Sequence, residues 1–239
     1  MPDTQLVLYL DGPMQAWGHQ SRFNRRTTLP YPTRSGVTGM ICAAMGIDRE
    51  DRAMLVKLGD LEMEIVALSR GIAVSGRETS RMLRSGRWSD FHTVGGGYDP
   101  KTQRQFMSRK ANAASPDTVV THREFLADAR FGVLIAGEHG LLGECERALC
   151  DPVWGIWLGR KCCIPASPVC QGLFPDRHAA INRLKELSGG TVVRLIGEVQ
   201  RFDDGNDTLM DVPVCFAARE FRPRRVLNQP ITEQENANL

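Results

Sequence analysis

Residues 12–18 read Gly-Pro-Met-Gln-Ala-Trp-Gly and run straight into a segment carrying Arg22, Arg25 and Arg26. Glycine and proline fix the backbone of such a loop, the Trp17 indole offers a flat face for stacking, and arginines match phosphate oxygens. Met14, Gln15, Ala16, Trp17 and Gly18 are therefore candidate contacts to a single-stranded RNA, with the three arginines as its phosphate partners. A second glycine-punctuated segment follows, Tyr31-Pro-Thr-Arg-Ser-Gly-Val-Thr-Gly39. There Arg34, Ser35 and Gly36 open an expected helix, whose first N–H groups and dipole favour an anion. Gly36 and Gly39 serve equally well for close helix–sheet packing.

Ten cations and four carboxylates lie between Arg70 and Arg123, a local excess of six positive charges in a chain whose net charge is only +2. Most are arginines, which suits planar phosphate recognition. Within and beside this stretch the candidate RNA contacts are His92, Arg104, Arg109, Lys110, His122 and Arg123, and Phe106 or Met107 could wedge between bases. Further along, Arg160 and Lys161 follow a turn glycine, and Arg219 ends a late strand in Phe216-Ala-Ala-Arg-Glu220. The near-neutral net charge argues against a regulator that binds nucleic acid by itself, which normally shows a domain-wide basic face. A chain that completes its groove with partners can be basic locally.

A different chemistry is open to the same residues. Metal-independent cleavage of RNA needs a base for the 2′-hydroxyl, an acid for the leaving oxygen and a cation for the phosphorane. His92, His122, Tyr98 and Lys110 supply those types, without a diagnostic spacing. No catalytic residue is assigned. Metal chemistry finds no support: the seven cysteines form no CxxC pair, and Cys162, Cys163 and Cys170 have neither knuckle spacing nor a nearby histidine. Asp203, Asp204, Asp207 and Asp211 lack the spacing of a calcium loop. No cofactor is expected. With no signal peptide and no long apolar span, a reduced cytoplasmic protein without membrane contact is expected.

The elements that must position these residues read as follows. Gln5 to Leu10 is an apolar strand ending at the Gly-Pro turn. Thr33 caps a helix over Arg34 to Met45, with Val37, Met40, Ile41, Ala44 and Met45 at helical spacing and Gly46 as its stop. Glu62 to Ser69 and Phe131 to Ala136 are strands, and Leu141 to Cys150 is a second helix. Thr191 to Val199 and Leu209 to Phe216 suggest a hairpin around Asp203-Asp204-Gly205-Asn206. The order predicts an α+β fold: a modified ferredoxin-like or RRM core with a long basic arm inserted between strands two and three. Residues 1–69 would begin the core, 70–128 form the arm, 129–229 complete the core, and 230–239 form a polar tail that frays.

Six segments then carry a resemblance: Gly12 to Gly18, Pro32-Thr-Arg-Ser-Gly36, Asp90-Phe-His-Thr-Val94, His122-Arg-Glu-Phe-Leu126, Leu158-Gly-Arg-Lys161 and Phe216 to Glu220. In this order they resemble CasD-type CRISPR-associated proteins of the RAMP superfamily, over nearly the whole chain. The resemblance implies a non-catalytic subunit of the type I-E Cascade complex that grips the 5′ handle of the crRNA and caps the backbone filament. It implies a backbone (CasC-type) and a large (CasA-type) subunit as neighbours, with target DNA met through the complex. A related handle-binding subunit in another CRISPR subtype is similar to a guide-processing enzyme, so an endoribonuclease acting on precursor CRISPR RNA is the alternative.

Overall fold

Leu6-Val-Leu-Tyr-Leu10 is apolar at every position because the strand it forms is covered on both faces. In the computed structural model, residues 4–19, 21, 24–69, 86–94, 99, 101–103 and 119–239 are described. Among them the strands are β1 (Gln5–Asp11), β2 (Met14–Gln15), β3 (Trp17–Gly18), β4 (Arg25–Arg26), β5 (Thr28–Leu29), β6 (Glu62–Leu68), β7 (Gly86–Val94), β8 (Val119–Ala127), β9 (Arg130–Ala136), β10 (Cys170–Phe174), β11 (Val192–Val199), β12 (Asp207–Cys215) and β13 (Glu220–Pro230). The helices are α1 (Arg34–Met45), α2 (Arg52–Gly59), α3 (His139–Cys150), α4 (Arg177–Ser188) and α5 (Glu233–Ala237).

Four strands stand side by side in the order β10-β1-β9-β6, every neighbour antiparallel. Counted along the core these are its fourth, first, third and second strands, the ferredoxin-like arrangement. Helices α1 and α2 connect the first to the second, and α3 connects the third to the fourth. The expected α+β core is therefore the one observed, and β7 and β8 rise from the insertion between β6 and β9. Helix α1 starts and stops where expected: the Thr33 side chain accepts from the Gly36 N–H, and Gly46 is left-handed.

Two features depart from the sequence reading. Strands β11 and β12 do not pair; β13 lies between them, bonded to both, and extends the main sheet past β6. The tight hairpin is instead β12–β13, turning through residues 216–219 with Arg219 left-handed at φ 55°. An Asp-Asp-Gly-Asn run marks a turn, but not which strand comes back beside which. Helix α4 is the second departure. It covers the far face of the sheet with Ala180, Ile181 and Leu184 against Val7, Tyr9, Val66 and Leu134, so the domain has three layers.

The last residues, expected to fray, are docked. Thr232 and Glu235 make a capping box that starts α5, and the Asn236 side chain accepts from the Val192 N–H at 3.2 Å. Lys185 Nζ donates to the Asn236 carbonyl at 2.9 Å.

Candidate nucleic-acid interface

The Gly-Pro loop is built from the inside. Gln15 is wholly buried and bridges backbone to backbone: its Nε2 donates to the Leu10 carbonyl at 2.9 Å and to the Ala129 carbonyl at 2.7 Å. Its remaining Oε1 accepts from Trp17 Nε1 at 3.0 Å. Trp17 is 1% exposed, its N–H held by Thr28 Oγ1 at 2.8 Å. A Cβ added to Gly36 would stand 2.8 Å from the indole, so the tryptophan seals the first turn of α1 against the sheet. The stacking face expected of Trp17 is corrected: with both hydrogen-bonding partners inside the chain, the ring is core. Gln15 and Ala16 are likewise buried, Met14 is partly so, and Gly18 is exposed.

The anion site expected at the start of α1 is corrected for a similar reason. The Arg34 N–H already donates to Asp211 Oδ2 at 2.7 Å, and the Gly36 N–H is taken by Thr33 Oγ1 at 3.1 Å. A carboxylate of the chain itself therefore complements the helix dipole. Asp211 is held bidentately by Arg224, through Nε at 2.7 Å and Nη2 at 3.0 Å. The Arg34 guanidinium turns inward to Glu198, the Leu61 carbonyl and, at 2.8 Å, the Gly59 carbonyl. Burial lowers its pKa, opposed chiefly by Glu198. Arg34 is a structural cation, and Ser35 and Gly36 are partly buried beside it.

Other predicted cations are at the surface and close together. Strand β4 puts Arg25 and Arg26, both exposed, alongside β8 in parallel, opposite His122 and Arg123. The Arg160 guanidinium lies 4.7 Å over the Phe125 ring and donates to the carbonyls of Glu124 at 2.8 Å and Arg26 at 3.0 Å. Phe125 stacks in turn on Trp88 at 5.0 Å. Partial burial pulls the Arg160 pKa down, and the charges of Arg123 and Arg26 pull the same way. Among the described residues none of Arg26, Arg123 and Arg160 has a carboxylate in salt-bridge contact. Asp90 stands opposite Arg123 across the β7–β8 ladder, and Arg26 and Arg160 are the cations left to favour an anion. Lys161 is exposed beside them, and Arg219 is exposed in the β12–β13 turn.

Between these cations and the Gly-Pro loop lies a cavity of about 330 Å³, lined by Trp17, Gly18, Arg26, Gly36, Arg160, Phe216 and Phe221 among others. The loop at Gly159 holds it together. The Ala16 N–H donates to the Leu158 carbonyl at 3.0 Å, and Gly159, at φ +94°, would place a Cβ 1.9 Å from the Ala16 carbonyl oxygen. Gly159→Ala is therefore expected to destabilise by more than the ~1–3 kcal/mol of backbone strain alone and to detach Arg160 from Phe125. Chemical denaturation, with Trp fluorescence as probe, checks this; unchanged stability would show that the loop is loose.

The two histidines are separated. In the β7–β8 ladder Phe91 faces His122 and His92 faces Thr121. Directly opposed residues share a face and successive ones alternate, so His92 and His122 project from opposite faces. His92 Nε2 is 3.3 Å from Asp90 Oδ2. Arg22, Tyr98, Arg104, Phe106, Met107, Arg109 and Lys110 lie outside the described residues. No group of metal-ligating side chains assembles among the described residues. Burial pushes the thiols of Cys42, Cys163 and Cys170 up to about 12, which keeps them protonated at neutral pH. No helix among the described residues is long and apolar enough to cross a membrane.

Sequence reasoning missed Phe221 and the Trp88–Phe125–Arg160 stack. Phe216 and Phe221 stand in the sequence as an aromatic pair flanking Arg219. The stack depends on strand register, which no local signal carries.

Comparison with known proteins agrees with this architecture. The family described as CRISPR-associated protein (Cas_Cas5) matches residues 5–227. The chain is 31% identical over 226 residues to the CRISPR system Cascade subunit CasD of Escherichia coli (strain K12), covering 90% of this chain and 93% of that one. A chain of a CRISPR RNA-guided surveillance complex superposes with a TM-score of 0.71 at 28% identity, covering 98% of this chain and 96% of that one. A further solved structure, described as a Cas protein, gives 0.65 at 28% identity, covering 97% and 96%. With its ferredoxin-like core, the β7–β8 pair inserted between the second and third strands and a family match along nearly its whole length, this chain belongs to the Cas5 family of CRISPR-associated proteins.

Proposed function

We propose that this chain is a non-catalytic RNA-binding subunit of a type I-E Cascade surveillance complex in antiviral defence, which grips the 5′ handle of the crRNA and caps the backbone filament. The observation that carries the reading is the pair Arg26 and Arg160 in an aromatic cavity whose described lining holds no carboxylate, with Arg123 adding its charge to Arg160 from β8. Phosphate supplies the missing charge, and bidentate arginine contacts fix the position of the RNA backbone without reading its sequence. The likeness to the Cascade subunit CasD and to a chain of an RNA-guided surveillance complex supports the assembly. The neighbours are a backbone (CasC-type) and a large (CasA-type) subunit, and target DNA is met through the complex. Residues 70–128 act as the arm, and Arg22, Arg104, Arg109 and Lys110 add further phosphate contacts. The separation of His92 from His122 favours positioning over cleavage.

The test is a complex reconstituted with synthetic guide and either the wild-type chain or Arg26→Glu/Arg123→Glu. Guide affinity measured against salt is expected to fall, with the slope of log affinity on log salt flattening by about 0.7 for each phosphate that the variant no longer neutralises. Equal affinities and slopes would refute the interface. Incubating the wild-type chain with precursor CRISPR RNA in EDTA is expected to leave the RNA intact. Specific cleavage abolished by His122→Ala would establish the endoribonuclease instead.

A further inference from the structure

We infer that the cavity between the Gly-Pro loop and the β12–β13 turn receives a single unstacked nucleobase of the bound RNA, resting on Phe216 and Phe221, with its phosphate met by Arg26 and Arg160. The inference rests on the handle-binding reading above and says where one base of that RNA goes.

Size comes first. At about 330 Å³ the cavity sits at the lower end of the range for small-molecule sites, roughly 300–1,000 Å³. It admits one nucleotide rather than a helix or a folded segment. The walls are of the right kind. Phe216 and Phe221 meet edge to face, with centroids 6.3 Å apart and planes at 69°. This forms a corner in which a base lies flat on one ring and meets the edge of the other. Every base has a π face, so such a corner accepts RNA without first specifying which base enters.

Charge decides between ligands. The described residues lining the cavity include two arginines and no carboxylate, which suits a polyanion and repels a cationic peptide. The contrast lies elsewhere in the molecule. A cavity of about 670 Å³ is lined by Asp60, Glu62, Glu64 and Glu198, and arginines already hold Glu64 and Glu198. Arg222 likewise reaches Asp60 at 4.0 Å, so the three arginines of that cavity are already paired with its own carboxylates. In the smaller cavity Arg160 commits one Nη1 and one Nη2 hydrogen bond to carbonyls, which leaves three of its five N–H donors for phosphate.

The cavity is also preformed. Trp17 is fixed by Gln15 and Thr28, and the Leu158–Gly159 segment is bonded to Ala16. A base that leaves its stack therefore enters a site that needs no rearrangement, which lowers the cost of binding. The Ser35 hydroxyl also lines the cavity, 3.4 Å from Thr33 Oγ1. As donor or acceptor it can meet a base edge.

The test is an abasic scan coupled to mutation. Complexes are reconstituted with guides that lack one base at each handle position in turn, using the wild-type chain, Phe221→Ala, and Gly18→Phe. A Cβ at Gly18 has open space around it, so the last variant fills the cavity without disturbing the core. For the wild type, one position is expected to lose about 5- to 150-fold in affinity when its base is removed. With either variant the same abasic guide should lose nothing further, which is the signature of coupling in a double-mutant cycle. Abasic losses that are identical in all three proteins at every position would overturn the pocket. Ultraviolet cross-linking that places a side chain of a neighbouring subunit there would overturn it too. Failure of the handle reading itself looks different: the wild-type complex would then bind guides with and without the handle nucleotides equally.

Discussion

Asp211→Ala is expected to be the most damaging single substitution at the start of α1, lowering stability by about 3–5 kcal/mol. Asp211 and Arg224 are both almost wholly buried, with 4% and 1% of their side chains exposed. Asp211 also takes the backbone N–H of Arg34. Removing the carboxylate strands the Arg224 guanidinium in the interior and leaves an N–H of the first helical turn without its acceptor. The cost of an unpaired buried charge far exceeds the net worth of the pair. At this chain length each kcal/mol lowers Tm by about 2–4 °C, so calorimetry reads the effect directly. Asp211→Leu combined with Arg224→Met removes both charges and should recover most of the loss. An alanine variant that melts with the wild type would mean that water reaches the pair.

The same network changes how Arg34 is to be read. Reversing its charge places a second carboxylate beside Glu198 and aims it at the carbonyls of Gly59 and Leu61. Any loss of guide by such a variant reports a damaged fold, not a missing phosphate partner. Arg26 and Arg123 test the interface because their guanidinium groups have no ion-pair role among the described residues.

The readable parts of the sequence share one property: their signal is local. Thr33 with Gly36, and Gly46 after Met45, delimit α1 because capping is decided within four residues. The apolar run of β1 is equally plain, although its lack of alternation conceals that it faces two cores. Helix α4 has signals too, Asp176 at its N-cap and Gly189 at its end. Its apolar face, Ala180, Ile181 and Leu184, is short and stands among polar and charged neighbours in the sequence. Burial of Trp17 and Arg34 is not local. Trp17 is enclosed because Gln15 reaches Ala129, and Arg34 because Glu198 and Asp211 come round from β11 and β12. Exposed-looking residue types in a glycine loop suggest ligand contacts, whereas long-range partners make them the support beneath the contacts.

That distinction makes Trp17→Ala the other large expected effect. An indole at 1% exposure cut to alanine costs about 3–5 kcal/mol through lost transfer energy and the cavity left behind. It also leaves the buried Gln15 Oε1 without its Nε1 donor, which adds the penalty of an unsatisfied acceptor. Trp17→Phe refills part of the volume but not the hydrogen bond, so it should fall between the two. If the ring instead stacked on RNA, both variants would melt with the wild type and lose guide affinity in proportion to aromatic area. Urea midpoints of the free chain, measured beside the salt slope of guide binding, separate these cases. Stability should drop in the order wild type, phenylalanine, alanine, while the salt slope stays constant for whatever fraction remains folded. A wild-type midpoint for the alanine variant would return Trp17 to the RNA surface.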